Sequence, residues 1–262
     1  MLDIESRLKE LKDGGGKALI PFFTIGYPDM GTSLELIRAA SEAGADIIEV
    51  GIPFSDPIAD GPSIQFSSQE ALKNGTTLHG ALRSLKRITK DLRVPIVIMS
   101  YYNPILSMGP EQFSEAAARV PVSGVIVPDL PPEEGGELRE LLRDVGIDTI
   151  YLIAPTSTRQ RIEMIASLSG GFIYAVSVTG VTGARSELPA EISSFLTGIK
   201  RATAKPVCVG FGISTKEQAK LLAPQADGII IGSAIVDIIR KNRTDPIGPV
   251  ADYLKEMKGV LV

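Results

Sequence analysis

The chain has 262 residues, with 27 Lys and Arg against 31 Asp and Glu, a formal net charge of −4. An apolar share of 44% beside a charged share of 22% suits a globular protein with a sizeable core and excludes an intrinsically disordered chain. The mildly acidic sum, without a dense Lys/Arg run, gives no support to nucleic-acid binding, although it leaves room for a local anion site.

In chain order, Met1 to Lys12 reads as an amphipathic helix, because Asp3, Glu5, Arg7, Lys9 and Glu10 interrupt any apolar core that a secretory signal would need. Ala18–Ile25 is the first strand. Thr32 and Ser33 are expected to cap a helix running to Ala43, with Gly44 as its stop. Asp46–Val50 is the second strand. Thr77-Leu78-His79-Gly80 has the look of a helix start, which makes the single histidine, His79, a surface residue rather than a catalytic one. One histidine also gives no basis for a His-based zinc site or a Ser-His-Asp triad, and no metal ligand is assigned.

Further strands are expected at Pro95–Ser100, Gly124–Val127, Thr149–Ile153, Phe172–Ser177, Pro206–Val209 and Gly228–Ile231. Helices are expected at Glu133–Asp144, Thr158–Leu168 and Ala190–Ala202, and Ser214 with Glu217 has capping-box spacing before another. Ser233–Arg240 fits a short helix after the eighth strand. The longest uncharged run, Met164 to Ala184, divides into a helix end, a strand and a Gly-rich loop, so no membrane span is expected. Cys208 is the only cysteine; it admits no internal disulfide and reads as a small buried hydrophobe.

Eight strands, apolar on both faces, in roughly 215 residues and each followed by a helix match the spacing of a single (β/α)8 TIM barrel with an extra N-terminal helix. An open doubly wound sheet is the alternative, since alternation does not prove closure. No linker divides residues 1–262, so one domain is expected, in a soluble, cytoplasmic protein.

Parallel α/β folds carry their chemistry at the carboxyl ends of strands. Glu49 breaks an apolar strand near that end. A buried carboxylate costs several kcal/mol unless paired, and no strand candidate carries an interior Lys or Arg to pair with it. A raised pKa and a proton-transfer role follow. The next loop, Ile52 to Pro62, holds Pro53, Pro57, Pro62, Asp56 and Asp60, a stiff segment at the mouth. There Asp60 is either a second carboxylate facing the ligand or, with Asp56, a turn or cap residue. Metal-centre and glycosidase readings of such a pair lack support from other ligands. Small residues at Gly180–Gly183, Gly210–Ser214 and Gly232–Ala234 follow the last three strands, where barrels commonly hold phosphate on backbone N–H groups. These residues describe a phosphorylated small molecule in an apolar mouth and do not say which one.

The stretch Glu49–Pro62 resembles the signature of the tryptophan synthase α subunit family. So do Pro21-Phe22 with Thr24, Tyr102-Asn103-Pro104, Pro128–Pro131, Gly180–Gly183, Gly210–Ile213 and Gly232–Val236, nearly end to end and in order. The resemblance implies a cofactor-free retro-aldol lyase that cleaves indole-3-glycerol phosphate to indole and glyceraldehyde 3-phosphate. It implies Glu49 as acid/base, Asp60 as acceptor of the indole N–H, and Tyr174 as a pocket tyrosine that supports Glu49 or the substrate hydroxyls. Gly183, Gly212, Gly232 and Ser233 fall on phosphate-binding positions, and Phe22, Ile64 and Tyr101 on walls of the indole pocket. The loops around Asp56 and Gly180–Glu187 match mobile covers. The implied partner is a PLP-dependent β subunit in an α2β2 complex, met by Pro53, Phe54, Asp56, Pro57, Asn103 and Pro131. Sugar-phosphate epimerases or phosphoribosyl isomerases would account for the Gly loops but not for the Glu49-to-Asp60 motif. A non-catalytic barrel would be favoured by loss of Glu49 or Asp60, and both are present.

Overall fold

Strands that are apolar on both faces need cover on both sides, and a closed parallel sheet with side chains inside and helices outside provides it. The computed structural model describes residues 3–88, 90–176, 190–210 and 212–262. From the amino end come α1 (Ile4–Asp13), β1 (Ala18–Thr24), α2 (Met30–Glu42), β2 (Ile48–Gly51), α3 (Pro62–Lys73) and α4 (Leu78–Leu85). Next are β3 (Ile96–Met99), α5 (Tyr102–Met108), α6 (Pro110–Ala118), β4 (Val122–Ile126) and α7 (Gly136–Asp144). Then follow β5 (Asp148–Ile150), β6 (Leu152–Ile153), α8 (Arg159–Leu168), β7 (Ile173–Val176) and α9 (Ala190–Ala202). The chain ends with β8 (Val207–Gly210), α10 (Lys216–Leu222), β9 (Gly228–Ile231), α11 (Ser233–Lys241) and α12 (Ile247–Lys258).

The sheet order is β5-β4-β3-β2-β1-β9-β8-β7-β6, with every pairing parallel. Its two ends, β5 and β6, are halves of one stave broken at Tyr151, so the chain itself joins them and the barrel closes. The break has a local cause. Ser169 Oγ takes the Tyr151 N–H at 3.1 Å, while the Tyr151 carbonyl accepts from Tyr174 N–H at 3.2 Å. The eight expected staves are present, the fifth in two pieces.

Three helix starts differ from expectation. Asp29, not Thr32 or Ser33, caps α2: its carboxylate accepts from the Thr32 N–H and hydroxyl at 2.9 and 2.6 Å, so the helix begins three residues earlier. Ser33 instead receives the Gly26 N–H at 3.0 Å. The capping box of α10 is Thr215 with Gln218, one residue later than Ser214 with Glu217. Residues Pro131–Glu134 form a turn before α7, where a helix from Glu133 was expected. His79 is exposed beside the Thr77 cap of α4, as expected.

Period-two alternation sorts the strands. Ala18, Ile20, Ile47, Val97, Ile126, Ile150, Phe172, Cys208 and Ile230 fill the barrel interior, closed from below by Ile4 and Leu8 of α1. Leu19, Phe23, Ile48 and Val50 point outward, under the helices. At the amino end of the staves, Asp46 accepts from Arg7, Lys258 and the Leu19 N–H, each at 2.7 Å, tying α1 and α12 to the barrel floor. No helix among the described residues is long and apolar enough to cross a membrane.

Candidate active site

Glu49 follows Ile47 by two residues on a pleated strand, so it shares the inward face and stands one layer nearer the mouth. In register with Phe22 on β1 and Val97 on β3, it is 1% exposed, and neither carboxylate oxygen finds a hydrogen-bond partner among the described residues. Burial, and then the charge of Asp60, pushes its pKa up to about 8.

Asp60 ends the loop that leaves β2. Its N–H donates to Pro57 O at 3.1 Å and its carbonyl accepts from Gln65 Nε2 at 2.9 Å, which fixes it just before α3. Burial raises its carboxyl to about 6, partly offset by a hydrogen bond from Tyr101. Tyr101 is itself buried. Its Oη accepts the Ala59 N–H at 2.9 Å, and its ring stacks on Phe54 with centroids 5.1 Å apart.

Tyr174, on β7, faces the same space. Burial, then the charges of Glu49 and Asp60, holds its hydroxyl well above its ordinary pKa, so it stays a neutral donor. Room for it comes from Gly210 on β8, where a Cβ would lie 2.6 Å from Tyr174 Oη. Gly51 does the same for Phe22, with a Cβ only 2.3 Å from its ring.

The cavity at this mouth has a volume of about 530 Å³. Glu49, Asp60 and Tyr174 line it together with Phe22, Ile64, Gly212, Gly232 and Ser233. Met99, Ile126, Leu152 and Ile230 form its apolar floor. Two helices open onto it, α3 at Gly61 and α11 at Gly232, and neither start has a side-chain cap. The first N–H groups of α11, and those of α3 that follow Pro62, which has none of its own, are therefore available to an anion. A basin of about 650 Å³ at the opposite end is lined by Arg7, Glu10, Asp46, Arg93 and Lys258. Arg7, Glu10, Asp46 and Lys258 are already joined by ion pairs. No group of three or more His, Cys, Asp or Glu among the described residues is placed to hold a metal.

A family model described as tryptophan synthase alpha chain matches residues 8–259. The chain belongs to the tryptophan synthase alpha chain family. It is 46% identical over 259 residues to the tryptophan synthase alpha chain of Geobacter sulfurreducens, covering 98% of each. Over 230 residues it is 49% identical to that of Carboxydothermus hydrogenoformans, covering 88% of this chain and 86% of the relative. Among solved structures it resembles tryptophan synthase subunit alpha from Legionella pneumophila, with TM-score 0.92, 32% identity and coverage of 100% and 98%. It also resembles the aminoacrylate-bound form of tryptophan synthase from M. tuberculosis, with TM-score 0.90, 29% identity and 100% coverage of both.

For a tryptophan synthase alpha chain, the residues singled out in the sequence assemble unevenly. Glu49, Asp60, Tyr174, Phe22, Ile64, Gly212, Gly232 and Ser233 meet at one cavity. Tyr101 stands behind Asp60 and not on the main cavity wall; with Phe22, Asp60 and Ile64 it lines a smaller recess. Gly183 and the Gly180–Glu187 loop lie outside the described residues. Asp56 and Asn103 are exposed, Phe54, Pro57 and Pro131 half-buried, and Pro53 buried. Nothing in the sequence sets apart the floor residues Met99, Ile126 and Leu152, because an apolar strand-end side chain looks the same whether it touches ligand or neighbours.

Proposed function

We propose that Glu49, Asp60 and Tyr174 carry the α reaction of tryptophan synthase in this chain, the retro-aldol cleavage of indole-3-glycerol phosphate to indole and glyceraldehyde 3-phosphate. The observation that carries the assignment is the Glu49 carboxyl, without a hydrogen-bond partner among the described residues and with its pKa pushed up to about 8, in the cavity of a family member. As a neutral acid it protonates indole C3. The positive charge that develops on the ring nitrogen is met by the Asp60 carboxylate through the indole N–H. The Glu49 carboxylate left behind takes the proton from the glycerol hydroxyl next to the ring. The C–C bond then breaks, its electrons return to the ring, and the aldehyde forms. The hydroxyl proton has moved to C3, so the step balances without a cofactor.

Tyr174 donates to Glu49 or to a substrate hydroxyl. Gly183, Gly212, Gly232 and Ser233 hold the phosphate, with the α11 N-terminus supplying N–H groups and dipole. Phe22 and Ile64 flank the indole, and Tyr101 steadies Asp60 from behind. The loop at Asp56 closes over the ligand and excludes water. Indole passes to a PLP-containing β subunit in an α2β2 cytoplasmic complex, meeting this chain at Pro53, Phe54, Asp56, Pro57, Asn103 and Pro131.

The test is indole release from indole-3-glycerol phosphate by the purified chain, alone and with a β subunit. Slow release that rises sharply with β is expected. Fast release that β leaves unchanged indicates a lyase working without that partner, and no release in either case overturns the function.

A further inference from the structure

The α3 and α11 helices, whose uncapped starts both open on the cavity, are joined side by side by three polar contacts in register. Ser63 Oγ donates to Asp237 Oδ1 at 3.2 Å. One turn on, the Arg240 guanidinium lies over the Phe66 ring, 5.6 Å from its centroid. Another turn on, Arg243, just past the end of α11, pairs with Glu70 at 2.5 Å. Residues 63, 66 and 70 lie on one face of α3, and 237 and 240 on one face of α11, by their spacing of three and four. The contact nearest the chemistry is Ser63–Asp237. Ser63 is the second residue of α3, three after Asp60, and Asp237 is one turn into α11, four after Ser233.

We propose that Asp237 is a positioning residue that couples the phosphate-binding end of α11 to Asp60 through Ser63, so that phosphate engagement helps to set Asp60 for the indole N–H. This deepens the functional reading above and rests on its assignment of Asp60 and of the Gly232–Ser233 phosphate site. The physical basis is short. An anion at the α11 start orders that turn. Asp237 lies on the next turn, and its carboxylate grips the first turn of α3, whose other tether, Gln65 Nε2, holds the Asp60 carbonyl. Arg240 sits 3.4 Å from the Asp237 carboxylate and keeps it oriented along the helix pair.

The experiment supplies the substrate in two pieces. Cleavage of indole-3-glycerol, lacking its phosphate, is measured with and without inorganic phosphate, for the whole chain and for Asp237→Ala, Asp237→Asn and Ser233→Ala. Phosphate is expected to activate the unaltered chain. Asp237→Ala should keep its unactivated rate but lose roughly 3- to 30-fold of the activation, the range in which a residue on a coupling route acts. Asp237→Asn retains an acceptor for the Ser63 hydroxyl and should retain activation, which a purely structural role for the charge would not explain. No activation of the unaltered chain, full activation of Asp237→Ala, or equal loss of its activated and unactivated rates each overturns the coupling. Ser233→Ala separates the two ideas. A raised KM for the phosphorylated substrate upholds the phosphate site even where Asp237 proves silent, whereas an unchanged KM together with no activation of the unaltered chain by phosphate removes the site and the coupling together.

Discussion

Glu49 illustrates how one side chain acquires a function from its surroundings. In an apolar barrel, with no hydrogen-bond partner among the described residues, its carboxyl is neutral up to about pH 8, and Asp60, half-buried, ionises near 6. A neutral Glu49 facing a charged Asp60 therefore predominates between those values, which belong to the pair as a unit. The kcat/KM profile for cleavage should rise through about pH 6 and fall through about pH 8, and a flat profile across that range would remove the assignment. Glu49→Gln should cut kcat by roughly 10²–10⁴-fold while substrate analogues still bind; Asp60→Asn should cost on the order of 10²-fold. The same group sets a stability trend. Below its ordinary value of 4.5, Glu49 is protonated whether the chain is folded or unfolded. Between 4.5 and about 8 only the unfolded chain ionises it, so stability falls as pH rises, by a total on the order of 3–5 kcal/mol. Glu49→Gln should thus become progressively more stable than the unaltered chain over that interval. Urea denaturation at pH 5 and pH 8 measures the difference.

At the scale of elements, the helices are placed by contacts that their own sequences do not advertise. Asp46 is 1% exposed at the floor of the barrel and satisfies Arg7 of α1, Lys258 of α12 and the Leu19 N–H. Removing it strands a buried N–H and separates two helices from the staves. Arg7 and Lys258 both reach solvent and can rehydrate, so the loss is smaller than for a fully buried pair. Asp46→Ala should lower unfolding free energy by about 2–3 kcal/mol, read by chemical denaturation, with kcat changed little because the lock lies at the end of the barrel away from Glu49. Loss of activity at unchanged stability would contradict this separation of floor and mouth.

Across the whole molecule, closure of the sheet turns eight separate strand ends into one cavity. It also gathers the segments after β2 and β3 on one side of the mouth, where Ala59 and Phe54 dock on Tyr101. Ile58 on the first segment is 84% exposed and Leu106 on the second is 50% exposed, two large apolar side chains beside the proposed β-subunit face. Ile58→Ser should weaken β-subunit affinity by about 10-fold, a typical cost for one buried interface side chain, while isolated cleavage stays within about 2-fold. Titration of β into the variant, followed by indole release, checks both numbers. Unchanged affinity would place the interface elsewhere.

Local periodicity and one charge in an apolar run were enough to set the alternation of strands and helices, the strand positions to within two residues and the anomaly of Glu49. The motif from Glu49 to Pro62 carried the family. Local reading missed the Asp29 cap, since Thr32 and Ser33 are equally good capping types and only the backbone shows which oxygen meets the first free N–H groups. It left Asp60 undecided between ligand and turn residue, and only the fold shows its carboxyl half-buried against Tyr101, which follows β3. Barrel closure, the break at Tyr151, the Asp46 lock and the Ser63–Asp237 contact were left to the tertiary structure. The last two join residues 39, 212 and 174 positions apart. Partners that distant are brought together by packing, and no pattern within a single helix or strand encodes them.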